Sequence, residues 1–171
     1  MSATDVTEPD VTKQIDLVRV TPDVIDVAEH LAAVDDSRCG AVTTFIGQVR
    51  DHDPEVPGTV ASISYSAHPD AQTVLARIVA ELSEPADSPG ADGLGGADGR
   101  ATEPDTAVRV AASHRIGDLA VGDLALVVCV ATAHRARSYE ISREIVERIK
   151  VELPVWKKQY AAAGTSHWSG L

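Results

Sequence analysis

Apolar and polar residues follow one another along the chain in patterns that predict six strands. Most of these runs are rich in β-branched residues and either alternate with polar positions or are apolar throughout, as half-buried and fully buried strands do. Gly47 interrupts the second run and predicts a bulge. The run 124–133 is the most apolar and is predicted to be the central strand. The predicted strands are 16–21, 40–50, 59–67, 106–113, 124–133 and a short final one at 155–161.

Three further segments repeat apolar residues at the spacing of an amphipathic helix. Thr21 precedes Pro22, a pair that suits the N-cap and the first position of a helix. In the last segment, isoleucines recur every four residues until Pro154 stops the helix. The predicted helices are 22–34, 70–84 and 136–152.

This mixture of helices and strands predicts a single α+β domain. Hairpin-like neighbours within 40–67 and 106–133 favour a mixed, largely antiparallel sheet over a parallel, doubly wound one. The 171 residues suit one domain with its own core. We assign residues 15–171 to this domain and residues 1–14 to a disordered acidic tail. The segment 85–105, dominated by Pro, Gly, Ala and Asp, is predicted to be a flexible insert within the domain.

Charge and cysteine content exclude several classes of protein. The formal net charge of -11 argues against a nucleic-acid binder, because affinity for phosphate comes from Lys and Arg. No apolar run reaches the ~18 residues of a membrane-spanning helix, and the polar N-terminus is unlike a signal peptide. Cys39 and Cys129 have no zinc or redox spacing, so we interpret them as buried, reduced thiols of a cytoplasmic protein.

Positive charge nevertheless concentrates around the last predicted helix. Residues 134–158 hold seven Lys or Arg against four Asp or Glu. Lys150 falls in the last turn of the helix, and Lys157 follows the break at Pro154. A lysine placed like Lys150 either complements the helix dipole or, in a site, holds a phosphate or acts as a base or nucleophile. The pattern indicates a site for a small anionic substrate.

His134 and Arg135 lie where the most apolar strand meets the start of the same helix. Unpaired backbone N–H groups there favour anions, Arg135 adds a forked donor, and His134 can move protons near neutral pH. A capping histidine beside a surface arginine is the simpler alternative. Arg50, at the end of the second strand, either pairs with the acids of the following loop or joins the same site. The histidine spacings match no metal site, and none is predicted.

Four segments stand out by their order and spacing: GAVTTFIGQVR (40–50), HRIGDLAVGD (114–123), AHR (133–135) and KVELPVWKK (150–158). In this combination they resemble the large catalytic subunit of molybdopterin synthase. The resemblance covers about residues 15–160 and implies an α/β hammerhead-like fold.

This resemblance implies a sulfurtransferase of molybdenum cofactor biosynthesis. The substrate would be cyclic pyranopterin monophosphate, which receives sulfur to form the dithiolene of molybdopterin. The sulfur would come from the C-terminal Gly-Gly thiocarboxylate of a small sulfur-carrier subunit. A homodimer of the present subunit within a heterotetramer is also implied, with no cofactor and no metal.

Apart from Phe45, the site residues implied by the resemblance coincide with the candidates above. Lys150 is the implied catalytic residue, Lys157 lines the same pocket and shares in catalysis, and His134 relays a proton. Phe45 and Arg50 match positions near the tail of the carrier. The implied substrate-binding residues are Arg50, His134, Arg135 and Lys157.

The chain departs from the family pattern in three places. Gln48 stands where the family often has lysine, the insert at 85–105 is longer than expected, and no family contact through a longer tail is expected after Trp168. Two alternatives therefore stay open: a non-catalytic module that binds a phosphate or pterin, and a degenerate paralogue that only scaffolds a partner. Retention of both Lys150 and Lys157 favours catalysis, because a phosphate binder could use arginine instead.

Overall fold

The computed structural model describes residues 17–53, 58–84, 107–161 and 164–170. The predicted tail at 1–14 and insert at 85–105 lie outside the described residues. Within the described ranges the chain forms three helices and eight strands. In chain order they are β1 Leu17–Thr21, α1 Val27–Ala33, β2 Ala41–Gln48, β3 Val60–Ala67, α2 Ala71–Ser83, β4 Val108–Arg115, β5 Gly117–Ala120, β6 Leu124–Thr132, α3 Arg135–Glu152, β7 Val155–Ala161 and β8 Ser166–Gly170.

The strands form two sheets of four rather than one. The first has the order β1-β4-β6-β2, and the second has the order β5-β3-β7-β8. Only the pairing of β1 with β4 is parallel among the pairings of the described strands. The prediction of a largely antiparallel α+β fold is confirmed. The central position of β6 is confirmed as well, since β6 lies between β4 and β2.

Helices cover both faces of the first sheet, which explains why β6 is apolar at almost every position. On one face α2 and α3 pack against residues such as Val128 and Val130, with Ile145 fully buried. On the other face, the segment around α1 packs against Val127 and Cys129. The predicted apolar stripe of α3 therefore faces the main core, as its four-residue repeat requires.

The first helix is shorter than predicted. The hydroxyl of Thr21 accepts a hydrogen bond from the Asp23 N–H at 3.1 Å, which closes a turn rather than capping a helix. Asp26 is the actual N-cap, and its carboxylate accepts from the Ala28 N–H at 2.8 Å. Val24 is 73% exposed, so it does not belong to the apolar face that the spacing suggested.

Two short strands were not predicted. β5 lies between the predicted strands 106–113 and 124–133, in a segment for which no strand was predicted. β8 pairs with β7 and follows the strand that was predicted to be final. Both strands carry few β-branched residues, so their sequences lack the usual strand signal. The predicted bulge is confirmed by the change of register between Gly47 and Gln48.

Candidate functional site

A groove of about 300 Å³ runs between β2, an edge strand of the first sheet, and helix α3. The Ser138 hydroxyl donates to the carbonyl oxygen of Val130 at 3.0 Å, and the Thr43 hydroxyl lies 2.5 Å from the Ser138 oxygen. These contacts fix α3 against β2 and β6. The lining residues are Thr43, Thr44, Phe45, Tyr139, Ser142, Arg143, Val146 and Glu147.

Lys150 lies one helical turn beyond this groove. Arg143 and Glu147 line the groove, and Lys150 follows Glu147 by three residues, so the three side chains share one face of α3. Its predicted place in the last turn is confirmed. Lys150 is exposed, and among the described residues its ammonium has no hydrogen bond or ion pair. Its charge is favourable at the helix C-terminus and is also available to a ligand.

Lys157 is held by a carboxylate instead. Its Nζ atom lies 3.2 Å from Oδ2 of Asp53, and the amide of Gln159 donates to the same oxygen at 3.0 Å. Lys157 and Gln159 are two residues apart on β7, so their side chains point to the same side of the sheet. Lys158 points to the opposite side, where its ammonium lies over the Trp168 ring, 5.5 Å from the centroid.

Arg50 belongs to the same end of the molecule as the two lysines. It precedes Asp53 by three residues, which limits the distance between their Cα atoms to about 11 Å. Only Leu153 and Pro154 separate α3 from β7, so the Cα atoms of Lys150 and Lys157 are at most about 20 Å apart. Arg50 is exposed and makes no ion pair within the described ranges.

Gln48 does not contribute a free polar group to this end of the groove. Its side-chain amide donates to the carbonyl oxygen of Gly122 at 2.6 Å, which fastens the end of β2 to the turn between β5 and β6. The backbone N–H of Val49 donates to Asp123 at 3.0 Å and extends this contact. A structural contact thus occupies the position where a lysine was expected from the family pattern.

His134 and Arg135 lie at the opposite end of α3 from Lys150. His134 occupies the N-cap position, but its imidazole makes no capping hydrogen bond, and both side chains are exposed. Lys150 follows Arg135 by fifteen residues along α3, a rise of about 22 Å. The sequence-based expectation that these groups surround one substrate is therefore not met within a single copy of the chain.

Half-buried Tyr65 and buried His114 form an aromatic pair beside Lys157. Tyr65 faces Lys157 across the pairing of β3 with β7. Burial and the nearby charge of Asp53 raise the pKa of the Tyr65 hydroxyl. The ring of His114 meets Tyr65 edge-on at 5.3 Å, and burial lowers the pKa of His114. Both rings are thus expected to be neutral at pH 7 and to act as a wall rather than as a source of charge.

Sequence reasoning missed two of the groups that build this site. Asp53 was considered only as a pairing partner for Arg50, and Gln159 was not considered at all. The contact between Asp53 and Lys157 joins residues 104 positions apart, so no local sequence pattern predicts it. The acidic loop that follows β2 was the only available signal.

The arrangement suits an anionic ligand that reaches the C-terminal end of the groove. Arg50 and Lys150 offer charges without partners in the described residues, and Lys157 adds a fixed donor. An apolar groove leading to such a cluster can hold a ligand whose body is extended and whose reactive end is negative. In the parts of the chain that the structure describes, no group of His, Cys, Asp or Glu could hold a metal ion, and no helix could span a membrane.

Comparison with known sequences agrees with this geometry. The family model described as "MoaE protein" matches residues 20–152. The chain is 32% identical over 152 residues to molybdopterin synthase catalytic subunit 1 of Mycobacterium tuberculosis, and the match covers 89% of each chain. It is 38% identical over 152 residues to the molybdopterin synthase catalytic subunit of Halalkalibacterium halodurans, covering 88% of this chain and 80% of that one.

Solved structures show the same fold. Molybdopterin synthase from Staphylococcus aureus superposes with a TM-score of 0.72 at 26% identity, covering 92% of this chain and 100% of that chain. A complex of subunits 1 and 2 of the molybdopterin-converting factor from Helicobacter pylori gives a TM-score of 0.62 at 17% identity, with 88% of each chain covered. From the family match and the extent of these identities we conclude that the chain belongs to the MoaE protein family.

Proposed function

We propose that this protein is the catalytic subunit of molybdopterin synthase. It transfers sulfur from a carrier-protein thiocarboxylate to cyclic pyranopterin monophosphate and forms the dithiolene of molybdopterin. The observation that carries the proposal is the set of cations at one end of the β2–α3 groove, in a chain of this family. The absence of a membrane-spanning helix among the described residues and the free cysteines are compatible with a cytoplasmic enzyme.

The proposed reaction needs cations because both reactants are anionic. A cyclic phosphate and a thiocarboxylate repel one another, and fixed positive groups reduce that repulsion and stabilise the charge that develops during transfer. We assign Lys150 as the catalytic residue, because its exposed ammonium has no partner in the described residues and can contact the reacting centre. Arg50 and Lys157 then bind the substrate beside it.

The groove offers a path for the tail of the carrier. Phe45 lines it together with Val146, and a glycine-terminated tail is narrow enough to lie between a strand and a helix. The Helicobacter pylori relative was solved as a complex of its two subunits, which supports a small carrier as the partner of this chain as well. In this proposal the thiocarboxylate reaches Lys150 from the groove.

His134 and Arg135 require a second copy of the chain if they act at the same site. The 18-residue helix α3 keeps them about 22 Å from Lys150 in one copy. A homodimer within a heterotetramer, as the family resemblance implies, supplies another α3 whose N-terminus could approach. Mixing Lys150→Ala protein with Arg135→Ala protein tests this. Mixed dimers regain activity if the two residues meet across an interface, and they stay inactive if they do not.

The test of the proposed function compares Lys150→Ala with Lys158→Ala. Purified protein is mixed with thiocarboxylated carrier and cyclic pyranopterin monophosphate, and molybdopterin is measured as its fluorescent oxidised derivative. We expect Lys150→Ala to lower the rate by at least about 100-fold, as loss of a group that stabilises developing charge does. Lys158, on the other face of β7, is the control and should keep the wild-type rate.

The outcome separates the proposal from its competitors. Both variants should keep the wild-type unfolding midpoint, because neither lysine lies in the core. Wild-type activity in Lys150→Ala would contradict the assignment of this residue. Gln48, whose amide is occupied by Gly122, is the observation that favours a degenerate scaffold. That alternative predicts carrier binding without product, whereas a simple phosphate-binding module predicts neither.

A further inference from the structure

Lys157 and Lys150 are held in different ways. Lys150 is exposed, and its ammonium has no partner among the described residues. The Lys157 side chain is 25% exposed and donates to a carboxylate that is itself only 11% exposed. A lysine side chain has many rotamers in water, and a buried acceptor selects those that place the ammonium at one point. The contact with Asp53 therefore fixes the position of one of the two lysines.

Asp53 is well placed to act as a fixed point. Its Oδ2 atom accepts from the amide of Gln159 at 3.0 Å as well as from Lys157 at 3.2 Å. Gln159 is 1% exposed, so its amide cannot turn to solvent and must keep this contact. The carboxylate thus stays in place beside Lys157, whose ammonium keeps two further N–H donors for an incoming anion.

The same contact joins two parts of the site. Asp53 lies on the loop that follows β2 and carries Arg50, while Lys157 lies on β7 in the second sheet. The backbone N–H of Val60 donates to the carbonyl oxygen of Asp51 at 2.7 Å, so the base of the loop is tied to β3 as well. The Asp53 ion pair therefore determines where Lys157 lies relative to Arg50.

We propose that Asp53 is a positioning residue for the sulfur-transfer reaction and acts by holding the Lys157 ammonium toward the substrate. The kinetic part of this inference rests on the proposed function, whereas the contact between Asp53 and Lys157 is independent of it. A purely structural role, in which Asp53 only fastens the loop, is the competing explanation. The two explanations differ in whether the effect of Asp53 passes through Lys157.

A double-mutant cycle distinguishes them. Asp53→Asn keeps the shape of the side chain and an acceptor oxygen but removes the charge. We expect it to lower the rate of molybdopterin formation about 10- to 100-fold under single turnover, because a small misplacement of a positioned group has effects of that size. In a Lys157→Ala background the same change should have no further effect. A structural role predicts the same additional loss in both backgrounds.

Asp36→Asn is the matched control. Asp36 is a carboxylate of similar burial, 7% exposed, and it pairs with Arg38 and Arg109 away from the groove. It should change the stability and leave the rate unchanged. The inference is overturned if Asp53→Asn keeps the wild-type rate, or if its loss is undiminished in the Lys157→Ala background.

A second measurement does not depend on activity. Reductive methylation with ¹³C labels the lysines of the full-length protein, and NMR then reports on each ammonium group. The Lys157 signal should move in Asp53→Asn and stay in place in Asp36→Asn, while the Lys158 signal should stay in place in both. If the wild-type protein makes no molybdopterin, the proposed function fails, but this experiment still tests whether Asp53 holds Lys157 in place. An unmoved Lys157 signal would refute it.

Discussion

The buried contact between His30 and Ser113 yields a quantitative prediction about stability and pH. His30 is fully buried on α1, and Ser113 is fully buried on β4. One ring nitrogen of His30 lies 2.7 Å from the carbonyl oxygen of Asp26, which can only accept, so that nitrogen carries the proton. The other nitrogen lies 2.7 Å from the Ser113 hydroxyl, which donates to it when the imidazole is neutral. Burial favours that neutral form.

Protonation of His30 should destabilise the fold. Burial lowers the pKa of His30 below its ordinary value of 6.5, so the unfolded chain binds a proton at higher pH than the folded protein does. The stabilising contribution of neutral His30 is therefore complete above pH 6.5, and the free energy of unfolding falls as the pH decreases below that value. For one group the decrease is at most about 1.4 kcal/mol per pH unit. His114, whose pKa burial also lowers, contributes in the same direction.

Two variants separate the effect of protonating His30 from the effect of its hydrogen bond with Ser113. His30→Gln can still donate to Asp26 and accept from Ser113, but it does not titrate, so the slope between pH 6.5 and 5 should decrease by up to about 1.4 kcal/mol per pH unit. Ser113→Ala leaves a buried nitrogen without a donor, so it should lose about 1–3 kcal/mol at pH 8 and keep the slope. Urea denaturation at constant protein concentration measures both quantities. An unchanged slope in His30→Gln would refute the reasoning.

Two further predictions concern burial. Ile145→Ala should lower the free energy of unfolding by about 2–5 kcal/mol in urea denaturation, because Ile145 is fully buried between α3 and the first sheet. Val151→Ala is the control, since Val151 is 82% exposed on the same helix, and it should change the free energy of unfolding by less than about 0.5 kcal/mol. Burial raises the pKa of the Cys129 thiol, so at pH 8 Cys129 should react with a thiol reagent far more slowly than the half-buried Cys39; equal rates would contradict the burial of β6.

The elements that the sequence predicted well are those whose structure follows from the apolar pattern within the segment itself. The isoleucines of α3 recur every four residues and face the core, and β6 is apolar because helices cover both faces of its sheet. The first helix was predicted to start too early because Thr21-Pro22 is a good helix start in isolation. In the protein Thr21 ends β1, pairs with Arg115, and uses its hydroxyl for a local turn.

The site was predictable residue by residue but not as an arrangement. Lys150 lies in the last turn of α3 as expected, because the helix boundary at Pro154 is a local property. The distance between Lys150 and Arg135 follows from the length of the same helix, yet the chemistry of the side chains led us to place them together. The contact of Lys157 with Asp53 depends on how β7 meets the loop after β2, and no spacing in the sequence encodes that meeting.

The most direct test of the central claim follows the sulfur atoms themselves. The carrier is prepared with isotopically labelled sulfur in its C-terminal thiocarboxylate and mixed with this protein and cyclic pyranopterin monophosphate. Mass spectrometry of the product then shows where the label resides. The account predicts that the label appears in the dithiolene of molybdopterin and that Lys150→Ala blocks its transfer. Intact carrier binding without labelled product from the wild-type protein would contradict the claim that this chain catalyses sulfur transfer.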